Sequence, residues 1–290
     1  MRLIIKNNYK ECAKWTADYI AGKIHSAAPT PEKPFVIGLP TGSTPLGVYE
    51  RLIELNNKGL ISFQNVITFN MDEYVGLDEN HPQSYHYFMW QNFFSKIDIK
   101  KENVHILDGT AEDLQKECEN YEKMIKEAGG IDLFLGGCGN DGHIAFNEPG
   151  SSLTSYTRMK TLTEDTIKAN ARFFDGDCTK VPKTALTVGI GTITDAKEVL
   201  IMMTGLAKAD ALQHAVEESV SQMWPVTILQ MHKSALIIAD DECTDKLRVG
   251  TVKYFKGFES KITDSLESIF SNKEISGVKN GYFRRNTELS

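Results

Sequence analysis

Ile131-Asp-Leu-Phe-Leu-Gly-Gly-Cys-Gly-Asn-Asp-Gly-His-Ile-Ala-Phe-Asn-Glu-Pro149 runs from an apolar stretch through a glycine cluster into three titratable side chains. An apolar run that ends in glycine and then offers Asp141, His143 and Glu148 has the layout of a parallel strand. Open α/β sheets keep their ligand sites at the carboxyl ends of such strands. Histidine titrates near neutral pH, and a neighbouring carboxylate fixes its tautomer and steadies its charged form. A Gly-rich turn whose polar groups merely satisfy the backbone is the plainer alternative. Three titratable groups beside the glycines favour a site.

The same stretch spells G-x-G-x-x-G at Gly137, Gly139 and Gly142. A dinucleotide fingerprint needs a helix opening at its third glycine and an acid about 20 positions on. Pro149-Gly150 stops any such helix, and Glu164, near the right spacing, falls in a helix start rather than at a strand end. A nucleotide site is not favoured. Cys138 lies within the loop, where a small filler is a better reading than a nucleophile.

Outward from this stretch, short β-rich runs alternate with amphipathic ones. The strands expected are Leu3–Ile5, Phe35–Leu39, Val66–Phe69, Val104–Leu107, Ile131–Leu135, Thr184–Val188, Val199–Thr204 and Ala235–Ala239. Helical spacing groups Ala13, Ala17, Ile20 and Ile24 on one face and Ala211, Leu212, Ala215 and Val216 on another, within a helix over Ala207–Glu218. The pattern predicts a doubly wound, mostly parallel α/β sheet with helices on both faces, a Rossmann-like three-layer sandwich. No Pro/Gly/Ser-rich linker divides the chain. One catalytic domain over residues 1–270 and a mobile polar tail over 271–290 are expected.

Composition removes other classes. A net charge of −7 with no basic block argues against nucleic acid. No apolar run approaches the ~20 residues of a membrane span, and the N-terminus lacks a signal-peptide core. The five cysteines are scattered and show no C-x-x-C spacing, which fits reduced thiols in a cytoplasmic protein and gives no zinc framework.

Two further loops carry chemistry. Gly38-Leu-Pro-Thr-Gly-Ser-Thr-Pro-Leu-Gly47 follows the second strand. Gly42 lets the backbone approach an anion, Thr41, Ser43 and Thr44 supply hydroxyls, and Pro45 suits the first helical position. Free N–H groups at that helix start would face a phosphate. The P-loop lysine is missing, so ATP is not implied. An N-capped helix behind a glycine turn is the structural alternative. Phe69-Asn-Met-Asp-Glu-Tyr-Val-Gly76 places Asp72 and Glu73 just past the third strand. A desolvated carboxylate there can take a carbon-bound proton. Neighbours on an extended segment point to opposite sides, so one of the pair should face the site. Either could instead cap a helix near Ser84. Arg172 and Lys208 sit at element junctions, where each alone reads as a surface cation.

Together these segments resemble the glucosamine-6-phosphate deaminase (isomerase) family. The likeness rests on Gly38–Pro45, Phe69–Gly76 and Asp141–Gly150, and extends from residue 1 to about 258 through Ala171–Phe174, Ala185–Gly189 and Val252–Gly257. The resemblance implies conversion of D-glucosamine 6-phosphate and water to fructose 6-phosphate and ammonia without a cofactor or metal. It implies that His143 assists ring opening, oriented by Asp141 and Glu148, and that Asp72 shuttles the proton. Thr41, Gly42, Ser43, Thr44, Arg172 and Lys208 match phosphate-binding positions. Ser151, Arg158, Lys160, Thr161 and Tyr254 match a site for an activator, N-acetylglucosamine 6-phosphate, at subunit contacts of a homohexamer. Idle solvated charges are the alternative for Arg158 and Lys160. The nearest rival is a 6-phosphogluconolactonase, which needs no C2 base; Met71–Tyr74 and Asn147–Gly150 favour the deaminase. A silent sugar-phosphate sensor on the same fold would have no need of Asp72, Asp141, His143 and Glu148 together.

Overall fold

The computed structural model describes residues 1–259. Residues 260–270 of the expected domain and the expected tail over 271–290 lie outside the described residues. A seven-stranded, wholly parallel sheet forms the centre, built from β1 (Arg2–Lys6), β2 (Phe35–Leu39), β3 (Val66–Asn70), β5 (Val104–His105), β6 (Leu133–Gly137), β9 (Val199–Met203) and β10 (Ala235–Asp240). Its order is β1-β10-β9-β6-β2-β3-β5. A second, antiparallel sheet of order β4-β8-β7 joins β4 (Asp72–Tyr74), β7 (Arg158–Thr161) and β8 (Thr184–Thr187).

The helices are α1 (Tyr9–Ala27), α2 (Leu46–Asn57), α3 (Tyr85–Asn92), α4 (Leu114–Glu127), α5 (Glu164–Asn170), α6 (Ile190–Thr194) and α7 (Ala209–Glu217), followed by a helical stretch over 249–259. Residues on the inner strands are buried almost without interruption, because helices cover both faces of a parallel sheet. Alternation then sends neighbours to opposite cores. Val36, Phe134, Ile201 and Ile237 join the core shared with α4 and α7; Ile37, Leu135, Leu200 and Ile238 join the one beneath α1 and α2. A third cluster of Tyr74, Phe146, Leu162 and Phe174 lies against the small sheet.

Side-chain caps fix several helix starts: Asn8 for α1, Ser84 for α3, Asp113 for α4 and Thr163 for α5. Among the described residues no helix is long and apolar enough to cross a membrane.

The expected three-layer α/β architecture stands, with two corrections. Thr184–Val188 does not join the main sheet as its apolar pattern suggests; its strand, β8, pairs antiparallel with β4 and β7. The apolar run at Ile131 becomes regular strand only at Leu133 and continues to Gly137, although the Ile131 carbonyl already accepts from the Lys197 N–H.

Candidate active site

The carboxyl ends of β2, β3, β6 and β9 open into one cavity of about 500 Å³. Each loop contributes to its wall: Pro40, Thr41 and Thr44 after β2, Met71 and Asp72 after β3, Gly137 to Asp141 and His143 at and after the end of β6, and Lys208 after β9. Asp165, Thr166 and Asn170 of α5, with Arg172 just beyond it, close the remaining side.

Asp72 is buried, and its Oδ1 has no hydrogen-bond partner among the described residues. Burial raises its pKa well above the ordinary carboxylate range, and the charge on Glu73 adds to this. Glu73 points away from the cavity and accepts from the N–H groups of Tyr74 (2.8 Å), Tyr85 (3.0 Å) and His86 (2.8 Å). It therefore caps α3 together with Ser84. Burial pushes Glu73 up to about 7 against those three donors. One carboxylate faces the cavity and its neighbour a helix start, as strand alternation requires.

His143 Nδ1 lies 2.7 Å from Asp141 Oδ1, an ion-pair distance, although the atoms are not aligned as a hydrogen bond. The His143 backbone N–H reaches the same oxygen at 3.3 Å. Burial alone would raise the Asp141 pKa; the close imidazole of His143, its charge and its backbone N–H outweigh it and hold the group below its usual value. Gly139 packs against the pair, and a Cβ there would collide with the imidazole and come within 2.6 Å of Asp141 Oδ1. The loop is pinned below by Asn147, whose amide donates to the Ile144 carbonyl at 3.0 Å and the Val188 carbonyl at 2.8 Å. Ala145, on the cavity wall, is held at φ 53°, a left-handed conformation that costs a non-glycine residue about 1–2 kcal/mol.

Glu148 is placed differently from expectation. Its Oε1 accepts from the Thr163 N–H (3.1 Å), the Thr163 hydroxyl (2.8 Å) and the Thr166 hydroxyl. Among the described hydrogen bonds it makes none to His143. Among the described residues Asp141 is the carboxylate paired with the imidazole, and Glu148 ties the loop to the start of α5.

On the cationic side, burial lowers the Lys208 pKa, the charge of Arg172 acting in the same sense and that of Asp141 against it. Arg172 is exposed, its guanidinium 4.7 Å from the Phe173 ring centre. Gly42 adopts φ +86°, as a tight approach demands, but neither it nor the exposed Ser43 reaches the wall. Pro45 is the N-cap of α2 rather than its first residue. The N–H groups expected to be free there are partly used, Leu46 donating to the Ser43 carbonyl and Gly47 to the Tyr9 hydroxyl at 2.9 Å. Cys138 is a buried thiol pushed up to about 12 by burial, which suits a filler rather than a nucleophile.

Arg158 and Lys160 share one side of β7, both half-buried, with Thr161 at its end. Burial lowers the Arg158 pKa. Ser151 is buried with a hydroxyl that has no partner among the described residues, and Tyr254 is 65% exposed on the helical stretch over 249–259. No described hydrogen bond joins either of them to Arg158 or Lys160. Asn140, Asp165, Thr166 and Asn170 line the cavity, and sequence reasoning misses them. Asn140 sits in the quoted stretch, and Thr163 followed by Glu164 and Asp165 is a helix-start signal that points to α5.

A family model described as glucosamine-6-phosphate isomerases/6-phosphogluconolactonase matches residues 7–238. The chain belongs to this family. Its relatives include the glucosamine-6-phosphate deaminase of Phocaeicola vulgatus, 67% identical over 259 residues that make up 89% of this chain and 98% of that protein. The glucosamine-6-phosphate deaminase of Treponema denticola is 66% identical over 259 residues, 89% of this chain and 96% of the relative. Among solved structures, a monomeric glucosamine-6-phosphate deaminase, described as a missing link of the NagB superfamily, superposes with a TM-score of 0.78 at 40% identity. It covers 86% of this chain and 100% of its own. The 6-phosphogluconolactonase of Trypanosoma cruzi shares the fold, with a TM-score of 0.66 at 22% identity over 85% of this chain and 96% of its own.

Proposed function

We propose that this protein is a glucosamine-6-phosphate deaminase, converting D-glucosamine 6-phosphate and water to D-fructose 6-phosphate and ammonia. One observation carries the reading: a buried, unpartnered Asp72 oxygen shares a cavity with the His143–Asp141 pair and with Lys208 and Arg172. Lactone hydrolysis, the chemistry of the family's other branch, would leave Asp72 without a task.

Lys208, Arg172 and the hydroxyls of Thr41 and Thr44 hold the phosphate, with Gly42 and Ser43 shaping the turn. Holding the phosphate converts remote binding energy into alignment of C2 against Asp72. His143, held by Asp141, transfers the proton that opens the pyranose ring. The freed C1 aldehyde is then the electron sink for removal of the C2 proton by Asp72. Asp72 returns that proton to C1 of the enolamine, giving a C2 imine. Water adds to the imine, and ammonia leaves. The electrons rearrange within the substrate throughout, so the sequence balances without a redox cofactor. Glu148 contributes by fixing the loop that carries His143.

Residues 1–270 are read as one catalytic unit; in its described part, 1–259, most of the cavity-forming loops come off the main sheet and α5 closes the remaining side. Regulation belongs to the same proposal. Ser151, Arg158, Lys160, Thr161 and Tyr254 would bind N-acetylglucosamine 6-phosphate between subunits of a homohexamer; the unpartnered Ser151 hydroxyl and the half-buried Arg158 support this. A cytoplasmic location is supported by five unpaired cysteines, four of them buried. The catalytic reading is tested by turnover of glucosamine 6-phosphate, with ammonia and fructose 6-phosphate followed in parallel.

A further inference from the structure

Glu148 lies on the loop that carries His143, yet its buried carboxylate is spent on α5. One oxygen gathers the Thr163 N–H, the Thr163 hydroxyl and the Thr166 hydroxyl. Capping alone does not call for this, because the Thr163 hydroxyl already accepts from the Thr166 N–H at 3.3 Å. Burying a carboxylate is costly unless donors surround it, so a third element brought to that oxygen implies a geometric duty. α5 needs such an anchor. Glu164, Asp165, Lys168 and Ala169 are exposed, and Ile167 is the side chain it lends to the aromatic cluster around Tyr74 and Phe146. At its far end Asn170 and then Arg172 stand on the cavity wall.

We propose that Thr163 and Thr166 are positioning residues that, through Glu148, set the spacing between the His143 loop and the Arg172 wall of the cavity. Thr163 stands off the cavity, so its effect on substrate passes through this clasp. The inference rests on the reading of the cavity as a sugar-phosphate site, which it deepens.

Two variants separate the clasp from the helix cap. Thr163→Asp keeps a strong N-cap but sets a second carboxylate against Glu148. Thr166→Val leaves the cap hydroxyl in place and removes one donor from the clasp, while Thr166→Ser retains that donor. KM and kcat for glucosamine 6-phosphate, and amide hydrogen exchange over residues 164–173, are measured on the full-length variants. The expected result is a KM raised about ten-fold in Thr163→Asp and Thr166→Val, the scale of a lost hydrogen bond to a charged group. kcat should change less than about three-fold, since the reacting groups are untouched. Exchange across 164–173 should quicken in both, and Thr166→Ser should behave as the unaltered protein. Unchanged KM and exchange in the two disruptive variants would overturn the proposal. So would a fall in kcat at constant KM, which would mean that Glu148 acts on His143. Failure of the unaltered protein to release ammonia would instead strike the functional reading. The clasp would then still be decided by exchange, and by calorimetric binding of the reduced open-chain analogue 2-amino-2-deoxyglucitol 6-phosphate. Thr166 itself lines the cavity, so should Thr163→Asp not fold, the matter is decided by exchange over 164–173, quickened in Thr166→Val and unchanged in Thr166→Ser if the clasp holds, and unchanged in both if it does not.

Discussion

Burial and the charge of Glu73 hold the Asp72 carboxyl well above its ordinary range, and Glu73 itself stands at about 7. A base works only when ionised, so the acid limb of kcat/KM should lie above the usual carboxylate region. Stability runs the other way. A carboxyl whose folded-state pKa is raised contributes stability in full below its unfolded pKa and loses it as pH rises through the folded pKa. For Asp72 and Glu73 that loss begins near about 4, and for Glu73 it passes through about 7. Asp72→Asn removes the Asp72 share of it. The variant should melt several degrees above the unaltered protein at pH 8, with the gap closing toward pH 4; calorimetric melts across pH check this. The same variant should lose turnover by about 10²–10⁴-fold, the usual scale for a missing general base. Exchange of the C2 hydrogen with deuterated water should stop, and its persistence would remove Asp72 from the role. His143→Gln should slow the closed pyranose far more than an open-chain substrate analogue; equal losses on both would deny His143 a separate part in ring opening.

Gly139 is where one element makes the acid–base pair possible. Its missing Cβ leaves the space filled by the imidazole of His143 and by Asp141. Gly139→Ala should lower kcat by at least about ten-fold, by moving reacting groups from productive geometry, with a small change in melting temperature; unaltered kcat would show that the pair relocates freely. At this scale the sequence is readable in proportion to burial. Inner strands such as Phe35–Leu39 and Ala235–Asp240 announce themselves because both faces are covered. β4 and β7 do not: Asp-Glu-Tyr and Arg-Met-Lys-Thr are short and polar, and the exposure of β7 alternates along its length. Thr184–Thr187 is legible as a strand but not in its pairing, since a period of two identifies an extended segment and not its neighbour. Asp72, Asp141 and His143 can be found because the carboxyl ends of parallel strands converge, whereas Arg172, which follows α5, and Lys208 stand out only through the family resemblance. The direction of Glu148 cannot. Five residues beyond His143, past the turn at Ala145, only tertiary packing decides that it meets Thr163 and Thr166.

At the level of the whole molecule, binding between subunits would let an activator bias a quaternary equilibrium, with a coupling on the order of 1–3 kcal/mol. N-acetylglucosamine 6-phosphate should therefore lower the half-saturating substrate concentration, and Lys160→Ala should abolish that response while sparing saturated turnover. Hyperbolic curves indifferent to the N-acetyl sugar would leave Arg158 and Lys160 as idle charges on β7. Light scattering should give the mass of six chains; a monomer, the state described for the solved deaminase at 40% identity, would remove the subunit contact. Neither property is written in composition or periodicity, because both depend on surfaces that meet only in the assembly. The reaction itself is the most direct test. Incubation with D-glucosamine 6-phosphate, assayed at once for ammonia and for fructose 6-phosphate, is predicted to yield the two in a one-to-one ratio with no added cofactor. No ammonia from that substrate, together with hydrolysis of 6-phosphogluconolactone, would contradict it.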